Sequence, residues 1–206
     1  MQNPKINTLR HLIILILILV SCSPGQEHKV ISQTKNQYFI VNELIKFDFF
    51  KYADSSNIDS ARQAFIKDGN IFRPEINRYL HIDAEELAEG NFDFFKTELT
   101  KILNKRGLEI TFSTTENFEK LHEVKINNEL FILFEAKNIE DYSMWEIAPR
   151  RFFEKINQIL QKSKSQEQFY LIYSGNDLGA LLLTEEQFKI ISKINEDNPK
   201  EIPYKP

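Results

Sequence analysis

The hydrophobic positions of this chain change character as it proceeds. Leu12 to Val20 is an unbroken apolar run. Ser23 to about Asn36 is polar, carries Pro24 and Gly25, and shows no period, which reads as a flexible tether. From Tyr38 onward apolar residues recur at helix or strand spacing, and here the pattern predicts a folded domain.

Within that domain the elements can be taken in order. Tyr38 to Val41 reads as a short extended start, followed by a helix with Ile40, Leu44 and Phe47 on one side. Asp59 is placed to cap a helix over Ser60–Lys67 that stops at Gly69. Residues 70–77, with Pro74, read as loop. Tyr79–Asp83 reads as a strand, with Asp83 as N-cap of the next helix and Glu86 completing a capping box. Gly90-Asn91 interrupts that helix. After the break Phe95, Leu99, Ile102 and Leu103 form a stripe that ends at Lys105, Arg106 and Gly107.

Leu108–Phe112 and His122–Ile126 alternate as half-buried strands, and Asn127-Asn128 fits a tight turn. Leu130–Phe134 is apolar on both faces, as a strand in mid-sheet would be. Trp145, Ala148, Phe152, Ile156, Ile159 and Leu160 follow helical spacing, with Pro149 either at the first position or at a kink. Phe169–Tyr173 and Ala180–Leu183 flank a turn-rich segment, Ser174 to Gly179, and predict a hairpin. Thr184 with Gln187 predicts a capped last helix lined by Phe188, Ile191 and Ile194. The order predicts a single α+β domain over 37–195, with a mostly antiparallel or mixed sheet and helices packed on it. Residues 196–206 read as a polar tail.

Charge and cysteine content narrow the partners. The formal charge of −4 includes Lys5 and Arg10, so a chain starting at Cys22 carries −6. An acidic surface argues against nucleic acid as a partner and against electrostatic attachment to anionic lipid. Cys22 is the only cysteine. If it is used in an anchor, the domain has no thiol for a disulfide, for nucleophilic catalysis or for a metal.

The first 22 residues carry a specific pattern. Lys5 and Arg10 precede the nine-residue run Leu12–Val20, which is well short of the ~20 residues that span a bilayer. Leu19-Val20-Ser21-Cys22 resembles the lipobox of bacterial lipoproteins. The resemblance implies that residues 1–21 are a cleaved signal peptide, that Cys22 is lipidated, and that 22–36 is an acylated tether. Acyl chains on Cys22 would then hold the domain to the membrane. Ser23 in place of an aspartate implies, by analogy with Gram-negative sorting, the outer membrane facing the periplasm.

Catalytic signatures are sparse. Gly175-x-x-x-Gly179 is followed by Ala180, not by the lysine of a phosphate loop. No serine lies in a Gly-x-Ser-x-Gly elbow. No cofactor and no metal is expected. His81 and Asp83, two apart on a strand, read either as an acid/base or metal pair, whose full site would need a third ligand such as His122 that no spacing places there, or as a polar strand end that caps a helix. Glu85, Glu86 and Glu89 suit the positive end of a helix. Tyr142 and Trp145 are of the types enriched at binding hot spots. Asn176 and Asp177 sit at the tip of a rigid hairpin, where contacts with partners often lie.

Three stretches resemble small α+β proteins encoded near bacterial polymorphic toxins, including immunity proteins: Tyr79 to Leu87, the Trp145–Phe153 helix, and Tyr173 to Leu178. The resemblance spans about residues 79–190 and implies a protein that binds and blocks a toxin, with no shared catalytic residues. The expectation is a lipid-anchored, non-enzymatic envelope binding protein with a protein partner. The alternatives are an envelope hydrolase using His81 and Asp83, or a scaffolding lipoprotein of envelope maintenance.

Overall fold

The computed structural model describes residues 39–114 and 121–206. The lipobox, Cys22 and the tether lie outside the described residues. So does Tyr38, the first residue of the expected extended start. The described elements form two three-stranded antiparallel sheets with helices packed on them, an α+β fold.

One sheet holds β1 (Tyr79–His81), β5 (Glu167–Ile172) and β6 (Gly179–Thr184), in the order β1-β6-β5. The other holds β2 (Phe112–Thr114), β3 (Leu121–Ile126) and β4 (Glu129–Glu135), in sequence order. Helices α1 (residues 39–46) and α2 (Ile58–Asp68) precede the first strand. Helices α3 (Ala84–Ala88) and α4 (Asp93–Asn104) follow it. Helices α5 (Ala136–Glu140) and α6 (Met144–Lys162) lie between β4 and β5, and α7 (Glu185–Ile194) follows β6. Among the described residues no helix is long and apolar enough to cross a membrane.

The β5–β6 pair is the centre of the domain, because successive residues feed opposite cores. Phe169, Leu171, Ala180 and Leu182 enter a core shared with β1, α3, α4, α6 and the second sheet. Tyr170, Ile172, Leu181 and Leu183 enter a core with Val41, Leu44, Phe49, Phe65 and Ile191. Burial on both faces explains why these two strands read as continuous apolar runs. The first core is rich in rings. Phe92, Phe95, Phe112 and Phe152 pack pairwise with centroids 5.3–6.3 Å apart, and each such pair contributes about 0.5–1.5 kcal/mol beyond its burial.

Local chemistry places many elements where the pattern does. Gly69 and Gly107 adopt left-handed conformations at helix ends. At Gly107 the bonds Leu108 N–H to Leu103 O (3.1 Å) and Gly107 N–H to Asn104 O (2.9 Å) form a Schellman closure. Asn127 and Asn128 both have positive φ, as the two-residue β3–β4 turn demands. Thr184 and Gln187 form the expected capping box.

Several expectations are corrected. Residue 39 is already helical, and Phe47 lies past the end of α1 and is exposed. The helix expected over Ser60–Lys67 runs from Ile58 to Asp68, and its N-cap Asn57 makes no side-chain cap bond, so Asp59 is not the cap. Leu108–Phe112 keeps its alternation of burial, but the ladder covers only Phe112–Thr114. Pairing begins there because β3 turns away at Asn127, whose backbone and side chain both bond Thr111. β4 is an edge strand rather than a central one, with Leu130 and Ile132 exposed. Helix α6 begins at Met144 and carries Pro149 inside it. Residues 199–206, expected as a tail, fold back. Tyr204 pairs with Leu171 along β5.

A buried ionic bolt joins three segments remote in sequence. Glu167, 8% exposed, accepts from Arg78, 1% exposed, and from Arg106, 4% exposed. Arg78 Nε also donates to Phe49 O at 2.6 Å, and Arg78 Nη1 to Leu182 O at 2.9 Å. Burial pushes the Arg78 guanidinium below its ordinary range, while the Glu167 charge opposes that shift.

Candidate functional site

The expected site residues gather on one surface more closely than their spacing suggests. Helix α3 packs on α6 and on the 3-10 turn Gly175–Asp177 between β5 and β6. The returning segment Pro199–Tyr204 lies beside them. Together these elements bound two joined clefts. One, about 880 Å³, is lined by Tyr79, His81, Tyr173, Asp177, Lys200 and Glu201 among others. The second, about 450 Å³, has Tyr142 and Trp145 on its lip and Ala84, Pro149, Leu171 and Leu178 among its apolar lining. Arg150, Ser174 and Tyr204 line both, so the two form one furrow.

Aromatic side chains dominate its walls. The rings of Tyr142 (69% exposed) and Trp145 (38% exposed) are 6.0 Å apart and tilted by 33°. Tyr142 is held out by its own backbone, at φ 58°, where the loop between α5 and α6 turns. Asp141 fixes that turn by accepting from Ser143 N–H at 3.0 Å. The Ser143 hydroxyl accepts from Asn138, and Asn138 also accepts from Glu135 N–H to close the start of α5. On the α6 face next to Trp145, Arg150 pairs with Glu146 at 3.2 Å and sits 5.1 Å over the Tyr204 ring.

The tyrosines of the furrow are anchored by their hydroxyls or pressed by their neighbours. Tyr173 donates to Glu201 at 2.6 Å, and Tyr204 donates to Tyr173 O at 2.9 Å. Burial raises the phenols of Tyr79, Tyr173 and Tyr204, and the Asp177 charge adds to the shift at Tyr79 and Tyr173. These phenols stay neutral at physiological pH and act as hydrogen-bonding groups.

Each sequence-selected residue has a definite place. His81 and Asp177 line the larger cleft, and Tyr142 and Trp145 the smaller one. Asn176 is exposed in the 3-10 turn but does not line the furrow. Asp83 is not a partner of His81. Its φ of 54° turns the chain out of the strand, and its carboxylate accepts from Glu85 and Glu86 N–H to cap α3. Glu86 does not complete a capping box and instead bonds Asn91. His81 lies edge-on to Phe94, centroids 5.6 Å apart. His122 is a core residue, with Nδ1 2.9 Å from Ala88 O and its ring between Phe92 and Phe134. The three-residue set that a His81-centred metal or acid/base site would need is therefore not assembled. Among the described residues no group of three or more His, Cys, Asp or Glu side chains could hold a metal ion.

Nothing in the local sequence marks Arg150, Tyr173 or Tyr204 as site residues. Arg150 reads as an ordinary charge on a helix face. Tyr204 sits in a proline-bearing tail, where an aromatic residue was the one available signal that the segment docks.

Comparison of the chain with protein-family models, with curated proteins and with solved structures gave no significant match.

Proposed function

We propose that this chain is a lipid-anchored, non-enzymatic binding protein of the bacterial envelope, and that a protein partner docks in the furrow between α3, α6 and the β5–β6 turn. An immunity-type inhibitor, held at the periplasmic side of the outer membrane through acyl chains on Cys22, is the specific form of this reading. The observation that carries it is the pair Tyr142 and Trp145, both exposed at the lip of a cleft with an apolar lining. Large rings held ready at a concave surface give contact area at little cost in side-chain entropy, the character of interface hot spots. Nearby acids, among them Asp141, Glu146 and Asp177, would steer a basic partner and raise its association rate. The hydrolase alternative is weakened by the divergence of His81 and Asp83.

The test compares the full-length chain with its Tyr142→Ala/Trp145→Ala variant as bait in envelope extracts. A single protein recovered by the first and lost by the second supports the reading, provided circular dichroism shows the variant folded. Equal recovery by both would move the partner away from the furrow. Retention of membrane anchoring in Cys22→Ser would remove the lipoprotein part.

A further inference from the structure

A second cleft, which shares no lining residue with the furrow, opens onto the ionic bolt. It is about 670 Å³ and is bounded by the end of α1, the turn after α4, the turn before β5 and the start of α7. Its lining combines Lys46, Lys51, Lys164 and the two guanidiniums with Asp48, Glu186 and Glu167. Five cationic groups face three carboxylates, and with Lys46 paired to Glu43 the lining still carries a positive surplus, in a chain whose net charge is negative.

The bolt itself is unbalanced. Two buried guanidiniums share one carboxylate, and buried charge without compensation is costly. Their donors are nearly all engaged. Arg78 Nη2 donates to Asp48 O at 3.2 Å, and Arg106 Nη1 donates to Asn77 O and Ile102 O at 3.2 and 2.8 Å. Arg106 Nη2 reaches Glu167 at 3.4 Å. Each Nη2 group carries two N–H donors, so each keeps one with no acceptor among the described residues. Tyr52, with its ring 4.1 Å from the Arg106 guanidinium, offsets part of the charge through its π face but accepts no such bond. At the cleft wall Lys46 is paired with Glu43 at 2.5 Å. Lys51 and Lys164 are exposed and have no carboxylate partner among the described residues.

We infer that this cleft is an oxyanion site that takes a phosphate group against Arg78 and Arg106, with Lys51 and Lys164 closing over it. A tetrahedral phosphate oxyanion answers the positive surplus and offers acceptors in several directions at once. Guanidiniums fixed by a carboxylate are pre-organised for such an anion. The group could come from a free phosphate or monoester, or from the phosphodiester headgroup of a lipid at the membrane to which the chain is proposed to be anchored.

The test uses the full chain in detergent, with inorganic phosphate as the first probe and chloride at matched ionic strength as the control. Phosphate is expected to raise the Tm saturably above the chloride curve. Lys51→Gln/Lys164→Gln, which alters exposed side chains only, is expected to weaken the apparent affinity about tenfold. Lys189→Gln, exposed on α7 and outside this cleft, is expected to bind as the parent does. Glycerophosphoglycerol is the second probe. Tighter binding of it than of phosphate assigns the site to a lipid headgroup, and the reverse order assigns it to a free phosphate or monoester. A phosphate response no larger than that of chloride, with no response to glycerophosphoglycerol, overturns the site. So does an unchanged response in the double lysine variant.

Discussion

Tyr204 and Leu171 exchange both backbone hydrogen bonds. Leu171 N–H donates to Tyr204 O at 2.8 Å, and Tyr204 N–H donates to Leu171 O at 2.7 Å. Two residues earlier on β5, the Asn157 side chain does the same work at Phe169, donating to its carbonyl at 2.9 Å and accepting from its N–H at 2.6 Å. The outer edge of the central hairpin is thus closed by a helix side chain and by the chain's own last residues. An open edge would be a template for pairing with another chain.

Tyr204→Ala is expected to lower stability by about 2 kcal/mol, because a half-buried ring and its bond to Tyr173 O are lost together. Removing residues 199–206 should go further and promote self-association by uncovering Leu171. Urea denaturation and light scattering check this. An unchanged midpoint would show that the segment adds nothing to the fold.

Glu167→Gln removes the carboxylate from two buried guanidiniums and is expected to cost about 3–5 kcal/mol, the range for breaking a buried pair. The exposed pair Lys189–Glu185 is the contrast. Lys189→Gln should change stability by less than about 0.5 kcal/mol. Both are read from urea midpoints with the slope compared.

His122 gives the chain an acid-sensitive term. Burial lowers its imidazole below the ordinary 6.5, against the opposing bond to Ala88 O. The unfolded chain therefore binds the proton first. The neutral-His contribution is fully present above pH 6.5 and is lost as pH falls from there through the lowered folded value. Denaturation curves at pH 7.5 and pH 5.5 should show this loss, and His122→Gln should flatten that part of the profile.

Gly179 is paired across the sheet with His81 and Ile172. A Cβ there would lie 2.6 Å from Tyr79 Cε2 and 3.3 Å from Ile172 Cγ2. Gly179→Ala should push the Tyr79 ring off Phe72, now 5.0 Å away edge-to-face, and into the larger cleft. A cost of about 1–3 kcal/mol is expected for this overpacking, together with weaker partner binding. Thermal unfolding and binding measured on the same variant separate the two effects.

The sequence by itself determined the fold class and most of the elements, but neither helix α5 nor the docking of residues 199–206. Helical stripes, alternating strands, Gly107, Asn127-Asn128 and the Thr184/Gln187 box act within a few residues, so they are readable without knowing the fold. It also nominated Tyr142, Trp145, His81 and Asp177, residues that line one furrow.

Tertiary structure decided what depends on distant neighbours. Leu130–Phe134 and the β5–β6 strands look alike as apolar runs. β4 and β5 both end their sheets, and only the packing of the folded whole buries both faces of β5 while leaving Leu130 and Ile132 of β4 exposed. His81 and Asp83 share a strand face on paper, but a positive φ at Asp83 separates them. Arg78, Arg106 and Glu167 come from three remote segments, and nothing local marks them as one buried group. Local propensity is a property of a few consecutive residues, whereas burial and pairing belong to the folded whole, and the furrow and the oxyanion cleft exist only at that level.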